Sequence, residues 1–230
     1  MSTMWEVTYT PVKTCVFYLL SLDVIFRGLL WLQPFKFRYP YEVSNSMVCV
    51  LLQIWAVYLS SCNLLTETWL NKPSPSTIYM ENQMIAYFIY DSIILFSTKR
   101  GRAQTIFFIH HFISLLIAFS NRFSDSGTNF ISNSFIVLLE SAPPLLNFSK
   151  IIKEIYPEHK LYYFKLCSKY LFGCTRILCF IPWILYYIIF QYQYKLSSNL
   201  MVGSCVALLL GSIKWFFEMT VTSTPLLKKT

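Results

Sequence analysis

The sequence predicts an all-α polytopic membrane protein with about seven transmembrane helices, and three observations carry that reading. Of its 230 residues, 55% are hydrophobic and only 13% are charged, against about 25% charged in an ordinary soluble domain. The mean hydropathy is +0.49. The few charges are clumped between apolar runs, each near the ~20 helical residues that a bilayer core demands. A soluble enzyme, a disordered regulator and a disulfide-stapled secreted domain are thereby excluded. The seven cysteines form no CxxC pair and read as small buried packing residues.

The first span covers 12–32 and stops before Gln33-Pro34, because proline pushes its predecessor out of the helical region. Its Asp23 and Arg27 are four residues apart, so they neutralise each other on one helix face. The segment before it lacks a clean basic leader, so this is a retained helix and not a cleaved signal. The second and third spans, 43–65 and 79–97, are separated by Lys72-Pro73-Ser74-Pro75. Lys99-Arg100-Gly101-Arg102 then leads into the fourth, 104–121, which ends ahead of Ser124-Asp125-Ser126-Gly127. These connections carry turn chemistry. The fifth span, 129–149, contains Pro143-Pro144, which predicts a broken backbone ladder. The sixth, 163–193, is too long for one perpendicular crossing and has a second kink site at Pro182. The seventh, 199–221, aligns Gly203, Ala207, Gly211 and Lys214 on one face, where small residues admit a neighbouring helix.

Orientation follows from Lys and Arg. Lys36, Arg38, Lys99, Arg100, Arg102, Lys150, Lys153, Lys160, Lys165, Lys169, Lys228 and Lys229 fall on one side, and Lys13, Lys72, Arg122 and Lys195 on the other. This bias predicts an external or lumenal N-terminus and a cytosolic C-terminus. It also explains the net charge of +8 without a nucleic-acid partner.

Ionisable groups inside hydrocarbon are costly and mark function or pairing. Asp91 precedes Thr98 by seven residues and His111 follows Gln104 by seven, so both lie roughly 10 Å inside the cytosolic boundary. Glu140 is ten residues before Lys150, roughly 15 Å deep. Arg176 and Lys214 fall at a similar level. Five spans thus present ionisable groups in one layer. Tyr87 and Asp91 share a face, Ser114 flanks both His110 and His111, and Asn129, Asn133, Glu140 and Asn147 share a face of the fifth span. One imidazole is expected to point into the site while the other braces it or reaches a neighbouring helix.

The ordered set Tyr90-Asp91, His110-His111, Glu140-Ser141-Ala142-Pro143-Pro144-Leu145-Leu146-Asn147, Arg176 and Trp215-Phe216 resembles the TLC domain (TRAM, LAG1 and CLN8 homology). The resemblance covers about residues 43–221, preceded by a tail, first helix and connection over 1–42 and followed by a cytosolic tail, 222–230. It implies a six-helix barrel around a lipid-sized cavity plus one N-terminal helix, in a multi-pass protein of lipid metabolism, most often in the endoplasmic reticulum. In the ceramide synthase branch a histidine pair and downstream acids transfer an acyl group from acyl-CoA to a sphingoid amine. This sequence departs from that branch at Asn133 and Ile136, where aspartates are expected, and at Pro143, where a lysine is expected. It is closer to the other TLC-domain proteins.

Two functions fit these residues. In an acyltransferase, His110, His111 and Asp91 would do the chemistry, with acyl-CoA as co-substrate and no bound cofactor or metal. In a non-catalytic lipid binder or sensor of membrane composition, the same chamber would hold a membrane lipid or fatty acyl chain. In both, Tyr87, Tyr90, Ser114, Asn133, Glu140, Pro144, Asn147, Arg176 and Lys214 would contact lipid or substrate. A retinal protein shares the outline, with an Asp on the third span and a Lys on the seventh, but Leu210 stands where that class carries an acid. The topology has a direct check in the sequon Asn147-Phe148-Ser149. In glycosylation-competent microsomes it is expected to stay unmodified while a sequon appended to the N-terminus is modified; the converse pattern would invert the orientation.

Overall fold

A computed structural model describes residues 4–32, 40–66, 75–97, 102–122, 142–156, 162–190, 192 and 196–221. Its elements are all helical: α1 (Met4–Leu32), α2 (Pro40–Thr66), α3 (Pro75–Ser97), α4 (Arg102–Arg122), α5 (Pro143–Ile155), α6 (Tyr162–Gly173), a π-helical turn (Cys174–Cys179), α7 (Phe180–Phe190) and α8 (Leu196–Val221). Three of them open on a proline: α2 on Pro40, α3 on Pro75 and α5 on Pro143. Proline suits a first turn because its missing N–H would have no helical acceptor there and its φ is already helical.

The packing closes a ring. α2 packs on α3, α3 on α4, α4 on α8, α8 on the run formed by α6, the π turn and α7, α6 on α5, and α5 back on α2. α1 stays outside and packs on α2 and α3. Among the described residues, a ring of helices with one N-terminal helix packed outside it agrees with the all-α polytopic membrane fold expected from the sequence. Two apolar clusters glue the ring. One joins Leu19 of α1, Val48 and Ala56 of α2, and Met80, Ile85 and Tyr90 of α3. The other joins Ile117 of α4, Phe180, Trp183 and Tyr187 of α7, and Met201, Cys205 and Leu208 of α8.

Four stretches are long and apolar enough to cross a membrane: Pro11–Leu32, Pro40–Cys62, Phe164–Phe190 and Ser198–Met219. α4 contributes a shorter apolar stretch, Thr105–Phe119. α3 has 23 residues, roughly 34 Å at ~1.5 Å per residue, but carries Glu81, Asn82, Gln83 and Asp91. It sits between α1, α2 and α4, and nearly every residue from Met80 to Asp91 is buried. A helix surrounded by protein can hold polar groups that lipid would not accept.

The outer helix is pinned by polar contacts. Asp23 is 2% exposed, pairs with Arg27 as expected, and accepts a 2.6 Å hydrogen bond from the Ser44 hydroxyl of α2. Arg27 also lies 4.6 Å over the Tyr41 ring.

The fifth span differs from its expected limits. Asn129, Asn133, Glu140 and Ser141 lie outside the described residues. Its described helix begins at Pro143 and continues to Ile155, past the expected end at 149, because Lys150 and Lys153 stand exposed and a helix need not stop where its charges begin. It ends before Tyr156-Pro157 with Tyr156 extended (φ −128°, ψ 79°), as proline requires of its predecessor.

In the sixth run, a π turn precedes Pro182. Proline donates no hydrogen bond to Leu178, and its ring crowds that carbonyl. A π turn accommodates an extra residue in the helix, and this one lies just upstream of the proline. Arg176, within it, is 4% exposed.

The expected contact face of α8 is overturned. Gly203, Ala207 and Gly211 are exposed, and a methyl added at Gly203 or Gly211 would meet nothing within 4 Å among the described residues. α8 buries Met201, Cys205, Leu208 and Ser212 instead, the face whose larger side chains fill space against α4 and α7. The expectation of buried cysteines holds for Cys49 and Cys205, whereas Cys167, Cys174 and Cys179 are exposed. Apolar residues facing lipid need no protein cover.

The close approach falls at Gly173. A Cβ there would sit 2.8 Å from the Phe216 ring. Gly173→Leu is therefore expected to destabilise the fold by ~1–3 kcal/mol, the scale of overpacking, read as a lower thermal midpoint in detergent. Phe216→Ala in the same chain is expected to restore most of the loss.

Candidate functional site

The site is built on the carboxylate of Asp91, 7% exposed near the C-terminal end of α3. Asn45 of α2 donates its amide N–H to Asp91 Oδ1 at 2.8 Å. His111 of α4 brings Nε2 to 3.4 Å from Asp91 Oδ2. The other nitrogen of that ring, Nδ1, is 3.5 Å from the Ser92 hydroxyl. Three ring helices thus meet at one carboxyl group. The local sequence permits this because α2 and α4 run from, and α3 runs toward, the same end of the ring, so residues a few positions inside each helix lie at one depth.

Aromatic rings wall the pair. Phe88 and Tyr87 lie 5.4 and 6.1 Å from the His111 ring. Tyr87 Oη accepts a 3.1 Å hydrogen bond from the Gln53 amide, and the Cys49 thiol donates to Asn45 Oδ1 at 3.7 Å. α2 thereby supports both the carboxylate's partner and the tyrosine beside the imidazole.

The two histidines have separate surroundings, as their ~100° separation around the helix requires. His111 is 3% exposed. His110 is half-buried, with its ring 5.5 Å from Trp215 of α8 and 6.3 Å from Phe88. Trp215 leads to Phe172 at 6.5 Å, and the Arg176 guanidinium lies 5.8 Å from the Phe172 ring. Trp215 and Phe172 thus stand between His110 and Arg176, while Asp91 meets His111 directly.

The remaining expected residues divide. Tyr87 and Ser114 are buried beside the histidines. Tyr90 is fully buried between α1 and the ring, and its hydroxyl has no hydrogen-bond partner among the described residues. Pro144 is buried at the start of α5, and Asn147 accepts a 3.1 Å hydrogen bond from Lys150. Asn133 and Glu140 lie outside the described residues. Lys214 is a correction: its side chain is 65% exposed and faces Glu218 at 3.9 Å, because one more turn of α8 offered it a carboxylate outside the ring. No group of three or more His, Cys, Asp or Glu that could hold a metal occurs among the described residues.

Asn45, Gln53 and Ser92 were not singled out by the sequence. The two amides had a signal, since an amide in an apolar span needs a partner. Ser92 had none, because hydroxyls in helices ordinarily donate to the carbonyl four residues back. Ser21, Ser61 and Thr175 do so here.

This arrangement defines a class: a ring of membrane helices with a buried carboxylate–imidazole pair near one end. The family model described as TLC domain matches residues 41–221, and the chain belongs to the TLC-domain family. That membership is with membrane proteins of lipid metabolism or sensing. No curated protein matches the chain in sequence.

The Asn45–Asp91 hydrogen bond is expected to be energetically coupled. A double-mutant cycle of Asn45→Ala and Asp91→Ala, measured by denaturation in detergent, should return a coupling of ~0.5–3 kcal/mol. Strictly additive losses would show that the contact contributes nothing.

Proposed function

We propose that the protein binds an acyl lipid within the helical ring and transfers its acyl group, with acyl-CoA as donor and a membrane-borne amine or hydroxyl as acceptor. The observation that carries this reading is the Asp91–His111 pair at 3.4 Å. A buried carboxylate beside an imidazole orients the ring and stabilises its protonated form, which is what a general base needs. His111 would take the proton of the attacking group and return it to the leaving thiolate. Arg176 would bias the site toward an oxyanion or anionic headgroup. The Lys and Arg bias toward one side supports a topology with this end of the ring at the cytosol, where acyl-CoA is available and basic loops attract its phosphates.

A second reading, a non-catalytic lipid binder or sensor, is favoured by one observation. Both nitrogens of His111 already have neighbours and the residue is 3% exposed, which also suits a side chain that only ties α3 to α4.

The test is turnover of labelled long-chain acyl-CoA by purified protein in lipid nanodiscs. His111→Ala and Asp91→Asn are each expected to reduce it by ~10²-fold or more, the weight of a general base. Stoichiometric lipid retained in native mass spectra, with no turnover by the unmodified protein, would favour the binder.

A further inference from the structure

Ser92 follows Asp91 on α3, and the two residues clasp the His111 ring from opposite nitrogens. An ionised carboxylate only accepts hydrogen bonds. The proton of a neutral His111 therefore belongs on Nε2, toward Asp91 Oδ2. That leaves the Nδ1 lone pair facing the Ser92 hydroxyl at 3.5 Å, so the hydroxyl donates. Asn45 holds the other carboxylate oxygen at 2.8 Å, which prevents Asp91 from turning away. The result is an ordered series, amide to carboxylate to imidazole to hydroxyl. Its geometry is that of a nucleophile, its base and the group that orients the base, with the loose nucleophile–base distance usual before substrate binds. Ser92 is half-buried while His111 and Asp91 are buried, so of the three it is the most accessible. Unlike Ser21, Ser61 and Thr175, its hydroxyl turns to a side chain on a neighbouring helix.

We infer that Ser92 is the nucleophile of the acyl transfer proposed above, on which this inference rests, and that it carries the acyl group as a serine ester between donor and acceptor. In the first half, Ser92 Oγ forms a bond to the carbonyl carbon of an acyl thioester, and His111 Nδ1 takes the hydroxyl proton. The carbon–sulfur bond breaks and the imidazolium returns the proton to the departing thiolate. In the second half, His111 takes a proton from the acceptor amine or hydroxyl as it attacks the serine ester. The carbon–Oγ bond breaks and the proton passes back to Ser92. No electron donor or acceptor is required.

The experiment incubates the purified full-length protein in nanodiscs with palmitoyl-CoA, quenches with acid and maps the acyl group by peptide mass spectrometry, with a fluorophosphonate probe as a second reporter. The expected result is an acyl mass and a fluorophosphonate adduct on Ser92. Both should fall by ~10-fold or more in His111→Ala. Ser92→Ala should abolish both and reduce turnover by ~10²-fold or more, with an unchanged thermal midpoint. Ser92→Cys should carry the acyl group as a thioester that neutral hydroxylamine releases, whereas the serine ester resists it. Turnover that survives Ser92→Ala but is lost in His111→Ala would overturn the serine's role and leave acyl transfer standing. No turnover and no adduct in the unmodified protein would overturn both.

Discussion

A carboxylate buried among membrane helices organises this protein. An ion taken from water into a low-dielectric interior is stable only if other groups replace its hydration. Asp91 meets that demand with an amide from α2 and an imidazole from α4. Those partners belong to different crossings, so satisfying the charge also sets the relative depth and rotation of three helices. Apolar packing cannot do this alone, because lipid tails attract apolar side chains as well as other helices do. The same logic recurs between α1 and the ring, where buried Asp23 is held by Arg27 and Ser44.

The ring encloses the polar groups of α3 within protein. α3 carries Asn82, Gln83, Tyr87, Tyr90 and Asp91 in buried positions, and α1 shields it from outside. On the far side, the π turn before Pro182 places Arg176 in a buried position. Arg176 and Asp91 approach the histidines from different directions, one through Phe172 and Trp215 and the other directly. His110 and His111, adjacent in sequence, therefore have different neighbours.

Most of the fold was legible in the sequence. Apolar runs and proline at helix starts are local properties, and the described helices follow them outside the fifth span, whose first half lies beyond the described residues. The meeting of Asp91 with His111 was legible as a shared depth. The choice between the histidines was not, since a 100° step leaves the rotation of α4 open until α3 and α8 claim one face each. Lys214 was misplaced for a related reason: depth puts it in the layer, but rotation turns it to Glu218. The Gly203–Ala207–Gly211 stripe failed because small residues permit close approach without compelling it, and Met201, Cys205 and Leu208 fill the interface better. Asn45 carried a readable signal as an amide in an apolar span, though its partner did not.

By itself, the sequence determined that this chain is helical, spans a membrane and gathers ionisable groups near one end, because hydropathy, proline placement and charge distribution act over a few turns of one helix. Only the tertiary structure decided which groups touch: Asn45 with Asp91, Asp91 with His111, His111 with Ser92, and Lys214 with none of them. Contact depends on how each helix is rotated about its axis, and that rotation is set by the neighbouring helices in the ring.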